Sequence, residues 1–206
     1  MKKTFKAIIS VLLVAVIVVA CFTACSNNAS NSDKVYKVGI CQLTQHEALD
    51  AATKGFRDAL TEKLGDKVVF DEQNASGEST NCTTIVSKFV SDKVDLILAN
   101  ATPALTAATE ATSTIPIVGT SITDYATALA ISDWNGKTGI NVTGTADLAP
   151  LKDQAAMIKE LVPNAKTVGI IYCSAEPNSK YQSDIVKSEL EALGYEVKVY
   201  TFVDSN

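Results

Sequence analysis

The sequence predicts an α/β fold of two lobes, each built on a parallel sheet. From Val35 onward, short β-rich apolar runs alternate with segments of helical periodicity, the pattern of a doubly wound parallel sheet. One run, "VDLILA" at 94–99, is apolar apart from Asp95, as expected of a strand that helices cover on both faces. The rhythm also restarts: "KVGI" at 37–40 and "TVGI" at 167–170 each head a strand that leads through polar residues into a helix.

The first lobe is predicted over residues 35–124 and contains four strands, "VYKVGI", "KVVF", "VDLILA" and "IPIVGT". A helical face with apolar residues three and four apart follows the first strand, at Leu49, Ala52, Phe56, Leu60 and Leu64. Another follows the second strand, at Cys82, Ile85, Val86, Phe89 and Val90. Gly65 is a stop signal for the first helix. Pro103 predicts the start of a third helix, with Thr102 as its N-cap.

The rest of the fold is predicted as a crossing segment and a partial second lobe. Residues 125–148 contain short apolar pieces and three glycines, which indicates an irregular crossing or hinge. Residues 149–206 then supply helix, strand, helix and strand: "PLKDQAAMIKELV", "TVGIIY", "SKYQSDIVKSELEAL" and "EVKVYTF". Two strands and two helices make a thin core with an unpaired sheet edge, so we expect this second lobe to be incomplete.

The first 25 residues have the pattern of a lipoprotein signal peptide. Lysines at positions 2, 3 and 6 precede an apolar run at 7–20 that is short for a membrane-spanning helix. Two cysteines that follow small residues resemble a bacterial lipobox. Cys25 lies where the apolar run gives way to a polar tether at 26–34, whereas Cys21 has the better upstream triplet. We predict lipidation at Cys25, with Cys21 as the alternative, and an anchor on the outer face of the bacterial cytoplasmic membrane.

The charge of the chain argues against nucleic acid as a partner. Three of the 18 Lys and Arg residues, and none of the 23 Asp and Glu residues, lie in the first 25 positions. The remainder therefore has a net charge of −8. Nucleic acids and anionic lipid surfaces both select clustered Lys and Arg, and the sequence contains no such cluster.

The sequence also lacks the motifs of catalytic and metal-binding chemistry. Cys41, Cys82 and Cys173 are widely spaced and odd in number, so we expect buried thiols instead of a disulfide framework or metal site. A catalytic histidine needs a nucleophile and an orienting acid, and the sequence shows no such pattern around its single histidine, His46. No G-x-S-x-G, phosphate-loop or HExxH motif occurs either. We therefore expect no enzyme activity, no metal and no cofactor, with His46 as a polar contact or helix-start residue.

Polar residues follow five of the predicted strands, in the stretches "QLTQH", "DEQNASGES", "NATPA", "SITD" and "CSAEPNS". Ligands of open parallel sheets bind beyond the carboxyl ends of the strands. Free N–H groups at helix starts favour a carboxylate or phosphate, and Thr102 with Pro103 and residues 121–124 are the candidates. Asp124 or Glu176 could pair with an ammonium group. Each stretch is also an ordinary cap or turn, but five at one edge predict a site for a small polar ligand.

Several blocks resemble the ABC transporter substrate-binding lipoproteins of the tryptophan/tyrosine type. They are "VGICQLTQHEALDAATKGFRDAL", "NASGEST", "VDLILANATPAL", "IPIVGTSITD", "NVTGTADL" and "ELVPNAKTVGIIYCSAEPNS", and the resemblance extends from about Lys37 to Phe202. It implies a type I periplasmic-binding fold, in which two α/β lobes on a hinge close over one ligand. It further implies an aromatic amino acid as the ligand, passed to a membrane permease that a cytoplasmic ATPase drives.

The resemblance also implies which residues line the cleft. They are Gln42, Thr44, His46, Asn74, Ala101, Thr102, Pro103, Ser121, Thr123 and Asp124 in the first lobe, and Ser174, Glu176, Asn178 and Ser179 in the second. The sequence departs from the family at Glu47 and Tyr125, two positions where proline is usual. Both residues lie next to proposed cleft residues. Family members also continue for roughly another hundred residues, so we expect a fragment that binds weakly or not at all as it stands.

Three functions remain open at this point. The first is a non-enzymatic receptor of an importer that closes around its ligand. The second is a lipoprotein module that senses a ligand and signals to a membrane partner. The third is a secreted α/β enzyme, which a hydrolase activity lost in His46→Ala would support.

Overall fold

The computed structural model describes residues 34–203. The strands are β1 (Tyr36–Gln42), β2 (Val68–Asn74), β3 (Leu96–Asn100), β4 (Ile117–Ile122), β5 (Val142–Ala146), β6 (Thr167–Cys173) and β7 (Glu196–Phe202). The α-helices are α1 (Glu47–Leu64), α2 (Ser79–Ser91), α3 (Thr102–Ala111), α4 (Tyr125–Ala128), α5 (Leu151–Leu161) and α6 (Pro177–Ala192). The predicted signal peptide, both candidate lipidation cysteines and the tether up to residue 33 lie outside the described residues. No helix between residues 34 and 203 is both long enough and apolar enough to cross a membrane.

Five strands form a parallel sheet in the order β2-β1-β3-β4-β5. Parallel neighbours need long crossovers, which α1, α2 and α3 supply between the first four strands. The apolar strand β1 lies in the interior of the sheet, with Ile40 in register with Leu98 of β3. The predicted α/β class with a parallel sheet is confirmed.

Helices cover both faces of this sheet. Val38, Ile40 and Leu98 form one core together with Phe56 and other residues of α1. Side chains of α2 and α3 form a second core on the opposite face, with members Phe89, Leu105 and Ile97. Alternate residues of β1 and β3 therefore enter opposite cores, as the period-2 geometry of a strand requires.

A glycine in β1 allows α2 to approach the sheet closely. A Cβ atom at Gly39 would lie 2.6 Å from two ring carbons of Phe89, a distance that no methyl group tolerates. Phe89 itself is completely buried. The first "KVGI" segment thus packs against an aromatic ring because its third residue has no side chain.

Part of the segment predicted as a crossing belongs to the five-stranded sheet. Val142–Ala146 is its edge strand β5, in which Gly144 pairs with Gly119 of β4. The Tyr125 hydroxyl occupies the space above these glycines and donates a hydrogen bond to the carbonyl of Thr145 at 3.4 Å. Burial, followed by the charge of Asp147, raises the pKa of Tyr125 to about 12. Tyr125 therefore fixes the short helix α4 against the end of the sheet.

The second sheet consists of β6 and β7, which pair in parallel from Thr167 with Glu196 to Cys173 with Phe202. Helix α6 makes the crossover and buries Leu190. Large apolar side chains of both strands nevertheless remain exposed, with Ile171 72% and Tyr200 57% accessible. This sheet is therefore much less covered than the first.

Candidate functional site

The polar residues that end β1, β2 and β3 lie in one row with Thr120, near the end of β4. Gln42 at the end of β1 pairs with Asn74 of β2 on one side and with Asn100 of β3 on the other. Asn100 in turn pairs with Thr120 of β4. Because all four strands are parallel, these residues mark a single carboxyl edge, from which the predicted site residues of the first lobe follow.

Gln42 is a buried, fully engaged member of this row. Its side chain donates from Nε2 to Asp50 Oδ1 at 2.6 Å and to the carbonyl of Thr44 at 2.8 Å. Its Oε1 accepts a hydrogen bond from Thr53 Oγ1 at 2.6 Å. Gln42 therefore holds the turn after β1 against α1, and its amide has no capacity left for a ligand in this arrangement.

Asn100 connects the same network to β3. Its Nδ2 donates to the carbonyl of Leu49 at 2.8 Å and to Thr53 Oγ1 at 2.9 Å. Its Oδ1 is buried and has no hydrogen-bond partner among residues 34–203. Sequence reasoning did not single out Thr53 or Asn100. A polar residue at the end of "VDLILAN" and a threonine on the apolar face of α1 were the available signals.

The turn between β3 and α3 has an unusual backbone. Ala101 has φ 92° and ψ 158°, a conformation that only glycine adopts readily, and it precedes the first helical residue. Thr102 is that first residue, so the prediction that Thr102 is the N-cap was wrong. Its hydroxyl is buried and unpartnered within residues 34–203 instead of capping the helix. Pro103 lies in the first turn, as predicted.

Three further site candidates make local caps. His46 is the N-cap of α1, and its Nδ1 accepts a hydrogen bond from the Ala48 N–H at 3.2 Å, so the predicted helix-start role is confirmed. Asp124 caps α4 by accepting from the Thr127 N–H at 2.7 Å. Asn74 Oδ1 accepts from the Ser76 N–H at 2.8 Å. These bonds fix the side chains beside the sheet edge.

The end of β4 brings the remaining candidates of this sheet to the same edge. Ser121 has φ 56°, the left-handed region, and so turns the chain before α4. Thr123 is buried beside it. Together with Asp124 these residues surround the start of α4, next to Tyr125.

The candidates of the second sheet cluster at the start of α6. Ser174 Oγ donates to the carbonyl of Phe202 at 3.1 Å, which ties the exit of β6 to β7. Ser179 Oγ donates to Glu176 Oε2 at 2.8 Å. Asn178 Oδ1 is buried without a hydrogen-bond partner in the described part of the chain. Glu176 is the N-cap residue but makes no side-chain cap.

Pockets bring these candidates together only in part. A cavity of about 660 Å³ lies between the start of α2 and the second sheet, and Glu176 and Ser179 are the site candidates that line it. A pocket of about 200 Å³ joins Pro103 of α3 to Ala175 and Pro177. The exits of β3 and β6 thus face each other across a narrow gap. The larger cavity extends along exposed strand residues such as Ile171. Most of it therefore lies over the uncovered face of the second sheet and not at the strand-end row.

Gln42 and Asn74 line a separate pocket of about 290 Å³ with Asp50 and Glu72. Among residues 34–203, no group of three or more His, Cys, Asp and Glu side chains is placed to hold a metal ion. The strand-end row offers hydroxyls, amides and helix starts, which suit hydrogen bonding to a ligand.

Comparison with known proteins gives a consistent result. The family described as "ABC transporter substrate binding protein" matches residues 37–206. The tyrosine-binding protein of Clostridioides difficile (strain R20291) is 40% identical over 205 residues, which cover 93% of this chain and 59% of that protein. The chain therefore spans about 59% of the length of this curated relative.

Two solved structures allow a structural comparison. An ABC domain in complex with L-Trp from Streptococcus pneumoniae is 34% identical with a TM-score of 0.76, over 82% of this chain and 58% of that one. The ligand-free, open structure of a substrate-binding protein with adhesive properties from Clostridium difficile is 39% identical with a TM-score of 0.60, over 84% and 59% of the respective chains.

Proposed function

The chain belongs to the ABC transporter substrate-binding proteins, and we propose that it forms one lobe and part of the second lobe of a receptor for a small, amino-acid-like ligand. Its fold is that of the type I periplasmic-binding proteins. The observation that carries the proposal is the row in which Gln42, Asn74, Asn100 and Thr120 lie side by side at the carboxyl edge of the sheet. Asn100 lies two residues before the start of α3. The proposed lobes are residues 35–124 and 149–206, and the proposed hinge segment, residues 125–148, includes the strand β5 that pairs with the first sheet.

The start of α3 is the proposed site of the ligand carboxylate. The N–H groups in the first turn of a helix have no intrahelical partners and favour an anion. Here a buried hydroxyl without a partner in residues 34–203, that of Thr102, lies in the same turn. A hydroxyl without a partner costs free energy that a carboxylate oxygen would recover. Asp124 or Glu176 would pair with the ammonium group.

An aromatic amino acid is the proposed ligand class. Support comes from relatives of which one is described as tyrosine-binding and another was solved with L-Trp. The chain also superposes better on the L-Trp complex than on the ligand-free open structure, although the latter is more similar in sequence. A receptor of this kind would close over its ligand.

The partners follow from the same proposal. The receptor would pass its ligand to an ABC permease driven by a cytoplasmic ATPase, and it would make no covalent change to the ligand. A lipid on Cys25, or on Cys21, would hold it at the outer face of the cytoplasmic membrane. Incorporation of labelled palmitate that Cys25→Ala abolishes and Cys21→Ala leaves intact would support the first site.

Calorimetric titration of L-tryptophan and L-tyrosine tests the binding function. A whole product, in which a complete second lobe follows residues 26–206, should bind one of them saturably, whereas residues 26–206 alone should bind weakly or not at all. Thr102→Val should lower the affinity of the whole product. Thr109→Val on the same helix, whose hydroxyl bonds only to helix carbonyls, is the matched control. Absence of binding to the whole product, or equal loss in both variants, would contradict the proposal.

A further inference from the structure

An Asn-Gly dipeptide lies at the surface of the loop that joins α4 to β5. The loop comprises residues 129–141, and both Asn135 and Gly136 are exposed in it. In such a dipeptide the backbone nitrogen of glycine can attack the side-chain amide of asparagine, because the glycine has no side chain to hinder it. Asn-Gly is also an ordinary turn dipeptide. The local structure therefore decides whether the folded chain permits the reaction.

The side chain of Asn135 is folded back over the peptide group that follows it. Its Oδ1 accepts a hydrogen bond from the Lys137 N–H at 3.2 Å. A side chain that bonds to the N–H two residues ahead lies across the intervening peptide group, here that of Gly136. The same bond draws electron density away from Cγ of Asn135. The carbon that would be attacked is therefore held beside its nucleophile and polarised.

The attacking nitrogen is also available. The Gly136 N–H donates no hydrogen bond to another group of residues 34–203. Gly136 has φ 85°, and outside its chain neighbours no heavy atom lies within 4 Å of the position that a Cβ atom would take. A five-membered ring between Cγ of Asn135 and the Gly136 nitrogen can therefore form without displacing another part of the fold.

Two other asparagines are protected by hydrogen bonds. Ser179, which follows Asn178 in α6, donates its N–H to the carbonyl of Glu176 at 3.1 Å, so that the attacking nitrogen is occupied. Asn141 donates from Nδ2 to the carbonyl of Ile115 at 2.6 Å, which holds the amino group that would leave. Within the described residues, neither kind of bond occurs at the Asn-Gly pair.

We propose that Asn135 is a site of spontaneous modification, at which the folded chain converts asparagine into isoaspartate and aspartate. The Gly136 nitrogen attacks Cγ of Asn135, so that an N–C bond forms and the Cγ–Nδ2 bond breaks. The proton of the Gly136 N–H passes through solvent to the departing amino group, which leaves as ammonia. Water then adds to one of the two carbonyl carbons beside the ring nitrogen, and the C–N bond at that carbon breaks. One water is consumed, one ammonia is released, and nothing is oxidised or reduced.

The reaction would change the loop in two ways. Where the bond to the original main-chain carbonyl breaks, the backbone continues through the side chain of residue 135 and becomes one methylene group longer. Both products also carry a carboxylate in place of the amide, close in sequence to Asp133. The loop joins two elements that the bond from the Tyr125 hydroxyl to the Thr145 carbonyl ties together. The extra length therefore falls between two fixed points, and the modification requires no ligand.

Peptide mapping during incubation tests the proposal. The purified folded chain is kept in mildly alkaline buffer, and samples are digested with a protease that cleaves before aspartate. Peptide 133–146 then contains Asn135 and Asn141, and peptide 153–183 contains Asn178. We expect residue 135 alone to exchange its amino group for a hydroxyl group. Isoaspartate is identified because the protease does not cleave before it and because a protein isoaspartate methyltransferase labels it.

A matched pair of variants tests the role of the glycine. Gly136→Ala should slow the reaction several-fold, because the methyl group hinders the attacking nitrogen. Gly139→Ala should leave the rate unchanged, since Gly139 also has a positive φ, 71°, and open space around it but does not follow an asparagine. Equal rates in the two variants would overturn the proposal.

The parent chain alone gives two further answers, whether or not the variants fold. Loss of the amide at Asn141 or Asn178 as fast as at Asn135 would show that the fold does not select the site. An Asn135 that keeps its amide in the folded chain, but loses it when the chain is unfolded in urea, would show that the loop prevents the reaction. Either result would also overturn the proposal.

Discussion

The five-stranded and two-stranded sheets begin from nearly the same sequence and reach very different degrees of burial. In β1, Val38 and Ile40 are buried beneath helices that cover both faces. In β6, Ile171 is 72% exposed, and the neighbouring strand leaves Tyr200 57% exposed. Neighbouring residues are therefore enough to form a strand and the helix that follows it. The burial of that strand depends on helices and strands from distant parts of the sequence.

The glycine that "KVGI" and "TVGI" share shows how differently the two strands are packed, through the space available for a Cβ atom. A Cβ at Gly39 would lie 2.6 Å from the Phe89 ring, whereas a Cβ at Gly169 would find its nearest neighbour, Tyr200, at 3.7 Å. The first glycine is required by packing and the second is not. Four experiments test whether the two sheets differ in this way in solution.

Phe89→Ala should have the largest effect. Phe89 is completely buried, and removing its ring leaves a cavity and lost apolar burial that together cost about 3–5 kcal/mol of unfolding free energy. Tyr200→Ala, in the exposed sheet, should cost less than about 1 kcal/mol. Urea unfolding followed by circular dichroism measures both. Similar losses in the two variants would show that the two-stranded sheet is buried in solution.

Gly39→Ala and Gly169→Ala form a matched pair with a smaller expected difference. The methyl group at position 39 must displace the Phe89 ring, and overpacking of this kind costs about 1–3 kcal/mol. At position 169 the methyl group meets only an ordinary contact, so the free energy of unfolding should change by less than about 0.5 kcal/mol. Equal urea midpoints for the two variants would contradict the close approach of α2 to β1.

Thr53→Val tests the buried polar network at the strand ends. The substitution leaves Gln42 Oε1 with only the long 3.5 Å bond from Asn100 Nδ2 and removes an acceptor from Asn100, which should cost about 1–3 kcal/mol. Thr53→Ser keeps the hydroxyl and should retain most of that stability. Thr167→Val removes an exposed hydroxyl bond to Glu196 in the second sheet and serves as the comparison. A Thr167 variant as destabilised as the Thr53 variant would show that burial does not set the cost.

Acid should produce the smallest effect, through Asp71 at the surface of the first sheet. Hydrogen bonds from Lys88 and Gln73 hold the pKa of Asp71 below its ordinary value of 3.8. The stability that the folded chain gains from ionised Asp71 is therefore present above pH 3.8, and it is lost as the pH falls through the lower pKa of the folded state. The urea midpoint of Asp71→Asn should decline less between pH 5 and 3 than that of the parent. Lys88→Gln should also reduce the fall in urea midpoint between pH 5 and 3. A fall as large as the parent's in both variants would show that the Asp71–Lys88 pair does not cause it.

The sequence predicted the strands and helices well because each has a local signal. The apolar run of β3, the helical spacing of α1 and Pro103 at the start of α3 are all properties of neighbouring residues. The edge strand β5 had none, since "VTGTA" is short and mostly exposed. Its membership in the sheet depends on pairing with β4, which no local pattern records.

The site was predictable in its position but not in its bonding. Strand exits identify the sheet edge because parallel strands end together. Gln42 is occupied by Thr53 and Asp50 because of where α1 is placed in space. In the same way, the Ala101 turn places Thr102 inside α3, where its hydroxyl has no partner in the described part of the chain. The ligand contacts themselves stay predictions.

The parallel strand order of the first sheet also affects how fast the chain folds. Gln42 and Asn100 are neighbours in the sheet but 58 residues apart in the chain, so the central pairing closes a long loop before any burial rewards it. Sheets dominated by such distant pairings fold slowly. Until β3 arrives, the apolar strand β1 has only β2 beside it, and its unpaired side is open to other chains. Refolding yield should therefore fall as protein concentration rises.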